Sequence, residues 1–188
     1  MDRLVRLKIF CIAALLFITL AVRAQWEEGE INVLFSIPEV ALVDIEPSMN
    51  NSVHFSIVPS EESGKSPIIK KTTEEVLWIN YSSSMAENVN SRKIVAEIAN
   101  GQLPGGVQLF LEASVYNGNG EGTLGQPSGK INLGPQPKPL ISGIGNCYTN
   151  DGANNGHSLN FSLKINDYAE IRSKEEAQFT ILYTITDN

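Results

Sequence analysis

The run A-Q-F-T-I-L-Y-T-I at residues 177–185 allows one reading of its local structure. Phe179, Ile181, Tyr183 and Ile185 share one side, and Thr180, Leu182 and Thr184 share the other. A period of two is the signature of a β-strand with one face in a core. Phe, Ile, Thr and Tyr also suit a pleated, half-buried surface. A lone strand or hairpin is marginal in water, so this run needs neighbouring strands from elsewhere in the chain.

Alternating or continuously apolar runs recur at 31–37, 40–45, 53–58, 76–81, 93–99, 107–115, 131–133, 140–144 and 158–165. Pro38 separates the first two runs, because proline cannot donate to a ladder. A strand, a proline kink and another strand fit an edge that switches sheets. Pro104-Gly105-Gly106 is the plainest turn signal among the rest. No helix of ordinary length shows a 3.6-residue period here, although one helical turn fits near 168–172. The expected fold is all-β: an antiparallel Greek-key β-sandwich of immunoglobulin-like type, with about eight or nine strands. A jelly roll or barrel is the alternative.

Residues 1–24 read as a secretory signal peptide. Arg3, Arg6 and Lys8 precede an apolar run at 9–22, and Val22-Arg23-Ala24 ends in a small residue. That run falls short of a comfortable span of about 20 residues. Cys11 lies inside the run rather than at its end, which argues against lipid attachment. Residues 25–188 are then expected to form a single exported domain, in the periplasm, on the outer surface or outside the cell. No later stretch is long and apolar enough to span a membrane. Residues 1–24 carry four cations against Asp2, a net of +3, so the whole chain's −7 leaves −10 for the remainder. Such acidity opposes nucleic acid and anionic lipid.

Nothing in the remainder reads as an enzyme. Cys147 is the only cysteine left after cleavage, so no internal disulfide can form. A catalytic Cys147 would need His54 or His157 beside it; a buried free thiol is the simpler reading. Gly118, Gly120, Gly122 and Gly125 suggest a phosphate loop, but strands flank them and no Gly-Lys-Ser/Thr follows. Glu61/Glu62, Glu74/Glu75 and Glu175/Glu176 lie in charged connections and read as solvated surface. The loop 145–157 offers Asn150, Asp151, Asn154 and Asn155, yet Asp151 is its only carboxylate, and tight calcium loops supply several. No metal or cofactor is expected. Tyr116 and Tyr148 border the two long loops and join those four residues as ligand candidates, since long loops on rigid scaffolds often carry binding. Trp78, in an apolar strand, reads as core rather than as part of a sugar platform with Trp26, Tyr81 and those tyrosines.

The signal peptide, the domain size, the acidity, the closing strand F-T-I-L-Y-T-I-T and the run Ile31-Asn32-Val33-Leu34-Phe35-Ser36-Ile37 together carry a resemblance. The chain resembles small secreted bacterial fimbrial subunits, in particular pilin-like and spore-coat-U-like all-β domains. The resemblance implies an incomplete sandwich whose groove is filled by the N-terminal strand of the next subunit. Ile31, Val33, Phe35 and Ile37 would be the donor-strand residues. Implied partners are further copies or other fimbrial subunits, and a periplasmic chaperone. Two features depart from that pattern: Cys147 lacks a disulfide partner, and the tyrosine often next to last stands at Tyr183. Two functions therefore compete. One is a non-catalytic structural surface subunit assembled through 31–37. The other is a monomeric extracellular module that binds a glycan or protein through the loops 116–130 and 145–157.

Overall fold

A computed structural model describes residues 3–20, 30–49, 51–172 and 177–188. Thirteen strands follow one another: β1 (Val40–Glu46), β2 (Phe55–Val58), β3 (Ile68–Lys71), β4 (Leu77–Ser84), β5 (Arg92–Asn100), β6 (Val107–Ala113), β7 (Glu121–Gly122), β8 (Gln126–Pro127), β9 (Ile131–Leu133), β10 (Lys138–Ile144), β11 (Cys147–Tyr148), β12 (His157–Ile165) and β13 (Thr180–Asp187). Every pairing is antiparallel. β4 pairs with β1 from Trp78 to Ser84. Its other edge is shared between β12, at Leu77–Ile79, and β11, at Ser82–Ser83. β12 continues to β6 and β9, and β11 to β7, which completes one sheet. The second sheet runs β13-β5-β10-β8, and β2 and β3 form a separate hairpin. The chain crosses between the two sheets from β4 to β5, β5 to β6, β7 to β8, β8 to β9, β9 to β10, β10 to β11 and β12 to β13, as the expected all-β sandwich requires.

The alternation explains the layering. Ile79, Leu109 and Leu111 from the first sheet and Ile94, Leu140 and Ile141 from the second are fully or almost fully buried, and they share one core. Phe110, on the otherwise polar face of β6, is half-buried and has Lys130 Nζ 5.5 Å from its ring centroid, so a cation caps the aromatic.

The strand count exceeds the expected eight or nine. β7, β8 and β11 are two-residue strands inside the glycine-rich and Asn-rich loops, too short to show any period. β3 is a further unexpected strand, because Ile-Ile-Lys-Lys does not alternate. The expected strand at 31–37 has no ladder partner among the described residues. The expected helical turn is a 3₁₀ turn at Tyr168–Glu170, capped by the Asp167 side chain.

The chain divides into two units, Met1–Ser36 and Ile37–Asn188. The first contains a helix, α1 (Arg3–Leu20). No helix among the described residues is long and apolar enough to cross a membrane. The expected cleavage point at residues 22–25 lies outside the described residues, as do Trp26 and the pair Glu175/Glu176.

Leu111 sits at 0% exposure between β12 and β9, whereas Leu182 points outward from β13 at 47%. Leu111→Ala should lower stability by about 2–5 kcal/mol. Leu182→Ala should stay within about 0.5 kcal/mol. Urea unfolding of both variants checks this contrast.

Candidate functional site

β1 pairs only with β4, and β13 only with β5, among the described residues. Each is therefore the edge of its own sheet, with a free row of backbone N–H and C=O groups. The two edges meet at one end through Arg92, whose side chain is 4% exposed. Its Nε donates to the Asp187 carboxylate of β13 at 2.8 Å. Its Nη1 donates to the carbonyl of Val40, the first residue of β1, and to those of Ser84 (3.3 Å) and the Ser83 hydroxyl (3.4 Å). Its Nη2 pairs with the Glu39 carboxylate.

At the other end the edges part. A cleft of about 350 Å³ opens there, lined by Ile45 of β1, Phe55 of β2, Leu77, Phe161, Phe179 and Ile181 of β13. Leu77 and Phe161 belong to the buried core, and the other four pack partly against it. The cleft therefore reaches core side chains between two unpaired strand edges. The alternating segment that the resemblance marks as a donor is, in turn, exposed: Ile31 by 87%, Val33 by 79%, Phe35 by 83% and Ile37 by 75%. Four large apolar side chains alternating along one extended stretch, all in solvent, are an unusual surface.

The two long loops are built into the fold. Tyr81 of β4 lies under them. The Gly125 amide donates to its hydroxyl at 3.2 Å, and that hydroxyl donates to His157 Nε2 at 3.0 Å. His157 Nδ1 then donates to the Ser114 carbonyl at 2.8 Å, so the neutral tautomer with the proton on Nδ1 satisfies every partner. His157 is fully buried, and desolvation lowers its pKa below the usual 6.5, partly opposed by the Ser114 bond. Tyr81 and Thr149 exchange backbone and hydroxyl bonds: Thr149 N donates to Tyr81 O at 3.0 Å, and Tyr81 N to Thr149 Oγ1 at 2.9 Å. The glycines allow this closeness. A Cβ on Gly120 would collide with the Tyr148 carbonyl, and one on Gly156, at φ +90°, with the Ile79 carbonyl.

The ligand candidates separate accordingly. Tyr116 is half-buried; its hydroxyl donates to the Thr149 carbonyl at 3.2 Å and accepts from Gly120 N. Asn150 and Asn154 adopt positive φ, +65° and +67°, as turn residues do. Asn155 donates to the Asp151 carbonyl at 2.7 Å, and its own carbonyl accepts from Asn80 Nδ2. Tyr148 is 43% exposed. Asp151 is not alone as a carboxylate. The loop places it beside Asp44 and Glu46 of β1, with oxygens of all three within 4.8 Å of one another. The D-x-E spacing at 44–46 puts both side chains on one face of a strand, and only the fold brings Asp151 to them. Trp78 also departs from expectation. It lies outside the buried core, because in β4 the positions facing the core are Leu77, Ile79, Tyr81 and Ser83. Cys147 is buried, and burial pushes its thiol up to about 11. It is a thiol rather than a thiolate at neutral pH, and both ring nitrogens of His157 are already bonded elsewhere.

No protein-family model, curated protein or solved structure matches the chain.

The buried His157 makes stability depend on pH. Its folded pKa lies below its unfolded value of about 6.5. Above 6.5 it is neutral in both states and contributes no slope. As pH falls below 6.5 the unfolded chain takes up the proton first, so stability falls until the folded pKa is reached. The loss should approach 1.4 kcal/mol per pH unit, as an order-of-magnitude upper slope. Urea midpoints at pH 7 and pH 5 should differ for the wild type, and His157→Gln should lose most of that difference.

Proposed function

We propose that the protein is an exported, non-catalytic structural subunit that assembles by strand addition, with residues 31–37 of one copy entering the groove between β1 and β13 of the next. One observation carries this reading: a cleft that reaches core side chains lies between two unpaired strand edges, while the same chain presents an exposed apolar segment of alternating period. An extended peptide added to a sheet edge gains main-chain hydrogen bonds, and its alternate side chains find pockets. The seven residues 31–37 suit the eight-residue edge of β13. Ile31, Val33, Phe35 and Ile37 would fall on the groove side. The loop-binding alternative draws less support, because Tyr116, Asn155 and the backbone of both loops spend their polar groups inside the fold. Export through residues 1–24 belongs to the same proposal.

The two halves of the interaction can be disabled separately. Phe35→Asp should abolish donation while leaving the groove intact, and Ile181→Asp should do the reverse. Burying a charge in place of either apolar side chain should cost more than about a hundredfold in affinity. Each variant alone should be monomeric by light scattering, and a mixture of the two should form complexes of one copy of each. Unchanged assembly in both variants, or monomeric wild type, would contradict strand addition.

A further inference from the structure

We infer that Pro38 and the Arg92 clasp bar residues 31–37 from the groove of their own chain and so reserve the segment for a second copy. This inference rests on the strand-addition reading above. The free edge of β1 begins at Val40, three residues after Ile37. The direct route into the groove within one chain is a hairpin that turns at Pro38-Glu39 and sets Ile37 opposite Val40. The two-residue turns that match the twist of antiparallel strands are types I′ and II′, and both need positive φ at the first central position. Proline holds φ near about −65°. Pro38 thus permits only type I or II turns, which splay the strands they join.

Longer turns meet other obstacles. A turn on the C-terminal side of Pro38 would have to rotate Glu39 and Val40. Arg92 holds both, the first by its carboxylate and the second by its carbonyl. Arg92 is itself fixed, since its Nε is taken by Asp187 at the far end of β13. A turn on the N-terminal side would have to bend Ile37. A residue before proline is pushed out of the right-handed helical region and into extended conformation. A turn placed earlier still would consume the alternating residues that must fill the groove. None of these restrictions applies to the groove of another copy.

The test uses the exported form purified from cells that express the full 188-residue chain. Pro38→Asn combined with Glu39→Gly supplies an Asn-Gly pair, the strongest type I′ signal, and releases the carboxylate tie to Arg92. Molar mass by light scattering is measured together with uptake of a labelled peptide of residues 30–38. The inference expects a multimeric wild type and a double variant that drops to one subunit mass and loses peptide uptake, because its own segment fills its groove. Should the double variant fold poorly, Pro38→Gly supplies the glycine that a type II′ turn takes at its first central position without touching Glu39, and should show the same shift toward monomer. If the wild type assembles, and the folded variants assemble equally and still take up peptide, the block is overturned while strand addition stands. If the wild type is a monomer that takes up no peptide, strand addition itself fails, and this inference with it.

Discussion

The guanidinium of Arg92 is almost sealed from water, where the first and last strands of the sandwich come together. A buried charge is costly unless it is paired and its remaining donors are satisfied. Arg92 meets that demand with two carboxylates, two backbone carbonyls and a hydroxyl, contributed from both sheets. Only the five-donor fork of an arginine can serve so many acceptors from one position. The clasp sets the geometry of what surrounds it. It binds the start of β1 to the end of β13, so the two edges are closed there. Farther along no equivalent tie is seen among the described residues, and the cleft opens over Leu77 and Phe161.

Across β4 from β1, the structure follows a different logic. There the long loops are closed by neutral hydrogen bonds arranged around Tyr81, Thr149 and His157. Loops rich in Gly and Asn suggest mobility when read from composition. Here their glycines let backbone lie against backbone, and their asparagines turn the chain. The molecule thus has a well-satisfied loop end, a clasped seam and one cleft beside unpaired edges. This distribution is why the edge seam, rather than the loops, is the place to look for a partner.

Much of the fold was legible in the residues. The period of two located β4, β5, β6, β12 and β13 to within a few residues, because each has one face on the core. β7, β8 and β11 were not legible, since two residues carry no period and their pairing depends on loops brought together by the rest of the fold. β3 escaped because its two lysines follow its two isoleucines. The site divides in the same way. The proposed donor segment is readable as alternation at 31–37, but its lack of a ladder partner among the described residues is a fact of three dimensions. The groove draws residues from six separate stretches of sequence. Arg92 meets Glu39 and Asp187 from 53 and 95 positions away. The Asp44, Glu46 and Asp151 cluster joins a strand to a loop more than a hundred residues later. Trp78 reads as core because β4 is apolar enough to look packed on both faces; its second face in fact carries the half-buried Trp78 and Ser82 and a buried Asn80 hydrogen-bonded to the 145–157 loop.

The central claim is that the free edge of β13 receives a strand. Amide hydrogen exchange along Thr180–Asp187 measures this directly, because one edge of β13 bonds to β5 and the amides on the other edge have no ladder partner. The account expects alternate amides of β13 to exchange quickly in dissociated subunits and to become protected once subunits assemble. Uniform protection in the free subunit, or an exchange pattern that assembly leaves unchanged, would contradict it.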